Sequence, residues 1–146
     1  MKNLLKLAVI AGLASASTFS YAAGDPIAER QAMMKSVGAA TGAAAGMVKG
    51  ETEFDARVAM LALRTMNAVS LGYGSKFPEG SDTGDTKAGP AIWSDPDGFA
   101  AAIAKFQTDT AAAIAAPAAD LDTFKAQFGM VTANCGACHK TYQIPK

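Results

Sequence analysis

The fold follows most directly from residues 120–142, DLDTFKAQFGMVTANCGACHKTY. Apolar side chains and cysteines recur in this stretch every three or four residues, which is the spacing of one face of an α-helix. The residues on that face are Leu121, Phe124, Phe128, Val131, Cys135 and Cys138. The pattern predicts a long helix from about Asp120 to Tyr142 that buries one face against the rest of the protein.

Start and stop signals predict three more helices before this one. Alanine is abundant and runs of β-branched residues are absent, which favours helix over strand. The predicted helices run from Asp25-Pro26 to about Lys49, ahead of Gly50; from the capping-box pattern Thr52-Glu53-Phe54-Asp55 to about Leu71; and from Asp95-Pro96 to Pro117. A long loop is expected from Gly72 to Ser94. Two short connections and one longer one predict an all-α, antiparallel four-helix bundle.

The last helix also carries Cys135-Gly136-Ala137-Cys138-His139, a C-x-x-C-H motif typical of covalent c-type haem attachment. The two cysteines lie three residues apart on one helix face, so both sulfur atoms can bond to the vinyl groups of one porphyrin. His139 is the only histidine in the chain and can ligate the iron from the next position. The motif therefore predicts one covalently attached haem c per chain.

Three other uses of the cysteine pair compete with haem attachment. A zinc site needs about three or four protein ligands, and here the soft ligands would all be crowded into five residues. A thioredoxin-like C-x-x-C should follow a strand and begin a helix, whereas this pair lies near the end of one. A disulfide is expected for a lone cysteine pair in an exported protein, but it leaves His139 without a role. Haem attachment explains all three side chains.

The first 22 residues have the features of a secretory signal peptide. Lys2 and Lys6 flank the start of a short apolar segment, and Ser20-Tyr21-Ala22 matches a cleavage site that would be cut after Ala22. The apolar segment is shorter than the roughly 20 residues that span a bilayer. Residues 23–146 are therefore expected to form one haem domain in the periplasm, without stable membrane insertion.

The charge of this domain limits its partners. The leader holds two of the 13 basic residues and none of the 13 acidic ones, so the domain has a net charge of about −2. No basic stripe of the kind that binds nucleic acid is present. Gly38, Gly42 and Gly46 recur every four residues in the first helix, which favours close approach of another helix, within the bundle or across a homodimer.

A C-x-x-C-H motif on the last helix of a four-helix bundle resembles the class II c-type cytochromes, the family of cytochrome c′ and the low-spin cytochrome c-556. The resemblance covers essentially all of residues 23–146. It includes Arg30-Gln31-Ala32-Met33-Met34-Lys35 in the first helix, Gly84-Asp85-Thr86 in the long loop, and Ile92-Trp93 ahead of the third helix. It implies an electron-transfer haem protein, not an enzyme, whose partners are redox proteins of the periplasm.

The resemblance makes the second axial ligand of the iron the main functional question. In cytochrome c′ an apolar residue of the first helix covers this iron face, and the iron binds small gases such as nitric oxide or carbon monoxide. In cytochrome c-556 a methionine of that helix binds the iron, and the corresponding residue here is Met34, four positions after Arg30.

Helix geometry independently favours Met34 over its neighbour Met33. One stripe of the first helix contains Ile27, Arg30, Met34, Val37 and Thr41. Met33 is rotated from that stripe by about 100°. We therefore expect Met34 to ligate the iron of a cytochrome c-556-type electron carrier, with Met33 as the second candidate. A five-coordinate, gas-binding cytochrome c′, in which Met34 only packs over the iron, is the alternative.

The resemblance also implies haem contacts outside the attachment motif. Arg30 and Gln31 are expected to contact the haem or its propionates from the first helix, and an arginine fork suits a carboxylate. Ser81 and Asp82 are expected to provide backbone contacts at the haem edge. Trp93 and the phenylalanines are expected to line the pocket.

Overall fold

Four long helices make up most of residues 24–144, the part of the chain that the computed structural model describes. The helices are α1 (Pro26–Lys49), α2 (Ala56–Tyr73), the short α3 (Ala91–Ser94), α4 (Pro96–Ala115) and α5 (Leu121–Tyr142), with a 3₁₀ turn at Gly74–Lys76. Within this part of the chain, β-structure is limited to one antiparallel bridge between Ala88 and Gln143. The predicted all-α four-helix bundle is confirmed, with α1, α2, α4 and α5 as its members. The expected signal peptide, residues 1–22, lies outside the described residues.

Aspartate side chains begin three of these helices where the sequence predicted them. Their Oδ1 atoms accept backbone hydrogen bonds, Asp25 from Ile27 at 2.9 Å, Asp95 from Gly98 at 3.1 Å and Asp120 from Thr123 at 2.8 Å. Each bond satisfies an N–H group that has no partner within the helix. Gly50 ends α1 at φ 77°, a left-handed conformation that suits glycine.

The start of α2 differs from the prediction. Its N-cap is Asp55, whose Oδ1 accepts hydrogen bonds from the backbone N–H groups of Arg57 at 2.8 Å and Val58 at 3.3 Å. Thr52 still belongs to the turn that closes α1, because its backbone N–H donates to the Gly46 carbonyl at 3.3 Å. The predicted capping box at Thr52 is therefore wrong, and the helix begins three residues later.

The long loop is also more ordered than predicted. Helix α2 continues to Tyr73 and runs directly into the 3₁₀ turn, and α3 forms before Asp95. Pro90 has helical backbone angles, and its carbonyl accepts a hydrogen bond from the Ser94 N–H at 3.1 Å. Within the predicted loop, irregular backbone is thus confined to residues 77–90.

Gly38 and Gly42 of α1 do not serve packing within the bundle. A methyl group added to Gly38 or Gly42 would meet no heavy atom within 4 Å, so these positions face open space. Gly46 lies beneath the turn after α1, where a methyl would be 3.4 Å from Thr52 Oγ1. Close helix approach inside the bundle is therefore the wrong explanation for Gly38 and Gly42.

The buried side chains form two clusters. The larger one joins α1, α2, α4 and α5 and contains Val37, Ala44, Met47, Leu63, Met66, Ala113, Phe124, Phe128 and Val131, among others. The smaller one, Ile92, Phe99 and Tyr142, lies where α4 begins and α5 ends. The attachment motif is on α5 between these clusters, with Val131 on one side and Tyr142 on the other.

Replacing Phe124 with alanine is expected to lower the free energy of unfolding by about 3–5 kcal/mol. Phe124 is 0 % exposed, and its ring centroid lies 5.8 Å from that of Phe54 and 5.6 Å from that of Phe128. Leu61→Ala is the control, with an expected change below about 0.5 kcal/mol, because Leu61 is 66 % exposed. Guanidinium denaturation of the haem-loaded protein measures both; equal losses would contradict the placement of Phe124 in the core.

Asp55→Ala is expected to lower the melting temperature by a few degrees, and Thr52→Ala is expected to leave it nearly unchanged. The hydrogen bond from the Arg57 side chain, followed by that from the Arg57 backbone, lowers the pKa of Asp55 from 3.8 to about 2. A lowered pKa means that the carboxylate stabilises the fold above its ordinary pKa and loses this effect as the pH falls towards 2. The difference between wild type and Asp55→Ala should therefore shrink below about pH 4. Thermal unfolding followed by circular dichroism at several pH values tests both statements.

Candidate functional site

A cavity of about 370 Å³ lies between the two core clusters. Cofactor and small-molecule sites commonly measure about 300–1,000 Å³. Much of the wall is apolar and comes from α1, α2 and α4, through residues such as Val37, Val69, Phe99, Ile103 and Phe106. The exposed lining residues mark the open side of the cavity, and they are Gln31, Asp85, Lys87, His139 and Gln143. The cavity is therefore apolar inside and polar at its opening.

All three side chains of the attachment motif line this cavity. Cys135, Cys138 and His139 occupy successive positions of one α5 face, and both cysteines are half-buried free thiols. Before haem is attached, burial raises the pKa of both thiols above the ordinary value. The arrangement presents two sulfur atoms and one imidazole to the same space, as thioether attachment with an axial histidine requires.

The two adjacent methionines of α1 point in different directions. Met34 lines the cavity and also packs against the larger core cluster. Met33 is not a lining residue; its Cε lies 3.6 Å from where a methyl on Gly72 of α2 would be. Of the two sequence candidates for the second axial ligand, the structure brings only Met34 to the cavity.

Arg30 lines the cavity, but its guanidinium also forms hydrogen bonds with the loop that follows α2. Nη1 donates to the Lys76 carbonyl at 3.2 Å and to Ser81 Oγ at 3.0 Å. Nη2 donates to the Ser81 carbonyl at 2.5 Å and to Thr86 Oγ1 at 2.6 Å. The guanidinium carbon lies 5.0 Å from the ring centroid of Phe77, and the residue is only 3 % exposed. Arg30 thus joins α1 to three separate points of the loop.

The structure does not bring Ser81 or Asp82 to the cavity. Ser81 is buried behind the wall as an acceptor for Arg30, and Asp82 is exposed. The loop residues that line the cavity are instead Asp85, Thr86, Lys87 and Ala88. Gln31, which does line it, donates from Nε2 to the Asp85 carbonyl at 2.7 Å. Trp93 is likewise outside the lining and donates weakly to the Pro78 carbonyl at 3.4 Å.

A short clasp joins the same loop to the end of α5. The Gly89 N–H donates to the Tyr142 carbonyl at 2.8 Å, and the Ile144 N–H donates to the Lys87 carbonyl at 2.9 Å. A side chain at residue 89 would lie 3.1 Å from the Tyr142 carbonyl oxygen, so glycine permits this close approach. Residues 85–88 are therefore held between Arg30 on α1 and the backbone after His139.

Two polar residues of the wall were not anticipated from the sequence. Tyr73 of α2 lines the cavity, and burial raises its pKa to about 12, so its hydroxyl stays protonated at neutral pH. Asn134, next to Cys135, donates from Nδ2 to Asp109 Oδ2 at 2.7 Å. This bond, with a further one from Lys105, lowers the pKa of Asp109. Helical spacing could have identified both residues. Tyr73 lies three positions after the buried Ser70 and Asn134 lies three positions after the buried Val131, so each is on an inward helix face.

None of the helices between residues 24 and 144 is long and apolar enough to cross a membrane.

A sequence profile described as Cytochrome C′ matches residues 25–143, nearly the whole of the bundle. The chain belongs to the cytochrome c′ family. Among its relatives, the cytochrome c-556 of Agrobacterium fabrum is 39 % identical over 126 residues, which cover 86 % of this chain and 85 % of that protein. A cytochrome c′ of Rhodopseudomonas palustris is 40 % identical, with coverage of 97 % and 98 %.

Solved structures of the cytochrome c′ family have the same bundle. The cytochrome c′ of Rhodopseudomonas palustris superposes with a TM-score of 0.81 at 37 % identity, covering 85 % of this chain and 99 % of that one. As a class II c-type cytochrome, the chain carries covalently attached haem c. The cavity fits this group, since it combines an apolar interior with two cysteine sulfur atoms that form no disulfide and an imidazole on one wall.

Proposed function

We propose that this chain is a periplasmic one-electron carrier of the cytochrome c-556 type, with His139 and Met34 as the axial ligands of its haem iron. The observation that carries the proposal is the position of Met34, which lines the cavity from α1 while the attachment motif lines it from α5. A thioether and an imidazole form the His/Met ligand set of electron-transfer cytochromes c, a set that raises the reduction potential.

The side chains of the cavity divide into three roles in this proposal. Bound haem supplies reversible one-electron chemistry. Cys135 and Cys138 would hold it as thioethers, while His139 and Met34 would occupy the two axial positions. The apolar wall from α1, α2 and α4 excludes water, and this low-polarity surrounding tunes the potential. Arg30 and Gln31 of α1 are proposed to contact the haem from the cavity wall.

The single histidine supports electron transfer over an enzymatic role. A peroxidase-like or nitric-oxide-reducing site would need an acid–base group beside the second axial position, most often a histidine. The chain has one histidine, and the attachment motif uses it. The partners are therefore proposed to be redox proteins that exchange electrons with the haem.

Location and assembly complete the proposal. The leader features of residues 1–22 support export and cleavage after Ala22, and the mature protein is therefore proposed to be periplasmic. A homodimer is supported by the open space over Gly38 and Gly42 of α1, together with Leu71 of α2, which is 69 % exposed. Sedimentation velocity of the mature protein over a range of concentrations tests the assembly.

The absorption spectrum with and without carbon monoxide tests the ligand assignment. A low-spin spectrum in both oxidation states that carbon monoxide leaves unchanged is the expected result. A high-spin spectrum that shifts when the gas is added would overturn ligation by Met34. That outcome would establish the alternative, a five-coordinate cytochrome c′ that binds nitric oxide or carbon monoxide. Sequence similarity does not separate the two, because a relative named cytochrome c-556 is 39 % identical to this chain and one named cytochrome c′ is 40 % identical.

A further inference from the structure

We propose that the Lys87 ammonium is the cationic partner of a haem propionate, and that Arg30 holds the loop of Lys87 in place instead of binding that carboxylate itself. The proposal rests on the cavity being the haem site. It concerns the charged groups at the opening of the cavity and does not depend on which residue occupies the second axial position.

Arg30 is the obvious propionate partner, but its donors are already in use. A guanidinium has five N–H groups, and four of them are on the two Nη atoms. Each Nη atom of Arg30 makes two hydrogen bonds, which reach Lys76, Ser81 and Thr86. Only Nε–H is left over, so a two-point bond to a carboxylate would break part of this network. Because an unpaired buried polar group is costly, the network favours leaving Arg30 where it is.

Among residues 24–144, Arg30 and Lys87 are the two cationic side chains that line the cavity, and Lys87 is exposed. Within residues 24–144 it forms no ion pair, whereas Lys76, at the start of the same loop, pairs with Glu29 at 2.6 Å. Its ammonium sits on a flexible four-carbon stem and can follow a carboxylate at the opening of the cavity. Asp85 lines the same opening, and its charge disfavours a propionate on its own side.

Hydrogen bonds fix the backbone on both sides of Lys87, so the Lys87 side chain starts from a defined position. Thr86 is bound to Arg30 through its Oγ1, and the same oxygen accepts from the Ala88 N–H at 3.1 Å. The Lys87 carbonyl accepts from Ile144 at 2.9 Å. Arg30 is thus a positioning residue, because its bonds to the loop determine where the Lys87 stem begins.

Reduction potentials of the haem-loaded protein, measured by spectroelectrochemistry, test the proposal. A cation paired with a propionate favours the reduced haem, so Lys87→Gln should lower the potential. Lys140→Gln is the matched control, because Lys140 follows His139, is exposed and does not line the cavity. An exposed, unpaired lysine is screened by solvent, so the shift for Lys87→Gln should be at least about twofold larger. Lys87→Arg should restore most of the wild-type potential.

Two further measurements separate pairing from a general charge effect. The propionate bending band in the resonance Raman spectrum should shift in Lys87→Gln and stay in place in Lys140→Gln. The potential shift of the double variant Arg30→Gln/Lys87→Gln should be smaller than the sum of the single shifts, because both changes disrupt one arrangement. Equal shifts for Lys87→Gln and Lys140→Gln, with an unchanged Raman band, would overturn the proposal. Every Lys87 variant should keep the wild-type spin state. The spin state of the wild-type protein tests the axial ligand, so failure of that proposal can be distinguished from failure of the Lys87 proposal.

Discussion

Replacing Met34 with alanine is expected to convert the oxidised protein from a low-spin to a high-spin spectrum and to let the reduced protein bind about one carbon monoxide per haem. Met34 supplies the thioether that lines the cavity from α1. Alanine offers no donor atom and leaves space where the methionine side chain was. The reduction potential should fall as well, because the His/Met ligand set raises it.

The neighbouring methionine provides the matched control. Met33→Ala removes the same side chain one position away, where it packs near Gly72 of α2 and does not line the cavity. That variant should keep the low-spin spectrum and its indifference to carbon monoxide. A low-spin Met34→Ala protein would contradict ligation by Met34, and loss of the low-spin state only in Met33→Ala would move the assignment to Met33.

Replacing both Cys135 and Cys138 with serine is expected to abolish covalent haem attachment and cooperative folding. The sulfur atoms are the attachment points, and serine cannot form a thioether. Without haem the cavity of about 370 Å³ would remain. Because this cavity is open on one side, water would enter it and wet its apolar wall, and exposed apolar surface costs about 25 cal/mol per Å². A small domain has a total stability of only about 5–15 kcal/mol, so the chain should collapse or unfold.

Two measurements check this result. Haem staining after denaturing electrophoresis should show colour in the wild type and none in the double variant. Circular dichroism should show a broad, non-cooperative thermal transition for the double variant. Each single variant, Cys135→Ser or Cys138→Ser, is the control and should retain haem through one thioether. A haem-free double variant that melts as sharply as the wild type would show that the bundle is stable without its cofactor.

Local sequence signals predicted the helices well because each depends on residues close together in the chain. The carboxylate caps at Asp25, Asp95 and Asp120 each reach a backbone N–H only two or three residues away. The predicted start of α2 at Thr52 was wrong because two possible N-cap residues, Thr52 and Asp55, lie close together. In the structure the Thr52 N–H is hydrogen-bonded to the Gly46 carbonyl of α1, so Asp55 caps α2.

Contacts between distant residues explain what the sequence did not predict. Arg30 and Ser81 are 51 positions apart, and their hydrogen bonds place Ser81 behind the cavity wall. The bridge between Ala88 and Gln143 brings the next part of the loop to the cavity. Neither contact has a periodic signal, since a loop has no repeat that indicates which side chains face inward.

The sequence alone determined the four long helices apart from the start of α2, the attachment motif, and the stripe of α1 on which Met34 lies and Met33 does not, because helical geometry converts spacing along the chain directly into a shared face. Only the tertiary structure decided which loop residues reach the cavity and what Arg30 binds. C-x-x-C-H can be recognised in five residues, whereas the charged opening is assembled from α1, the loop and the end of α5. The physical reason is that the cavity exists only once the helices have packed, so its polar opening depends on long-range contacts that no short stretch of sequence contains.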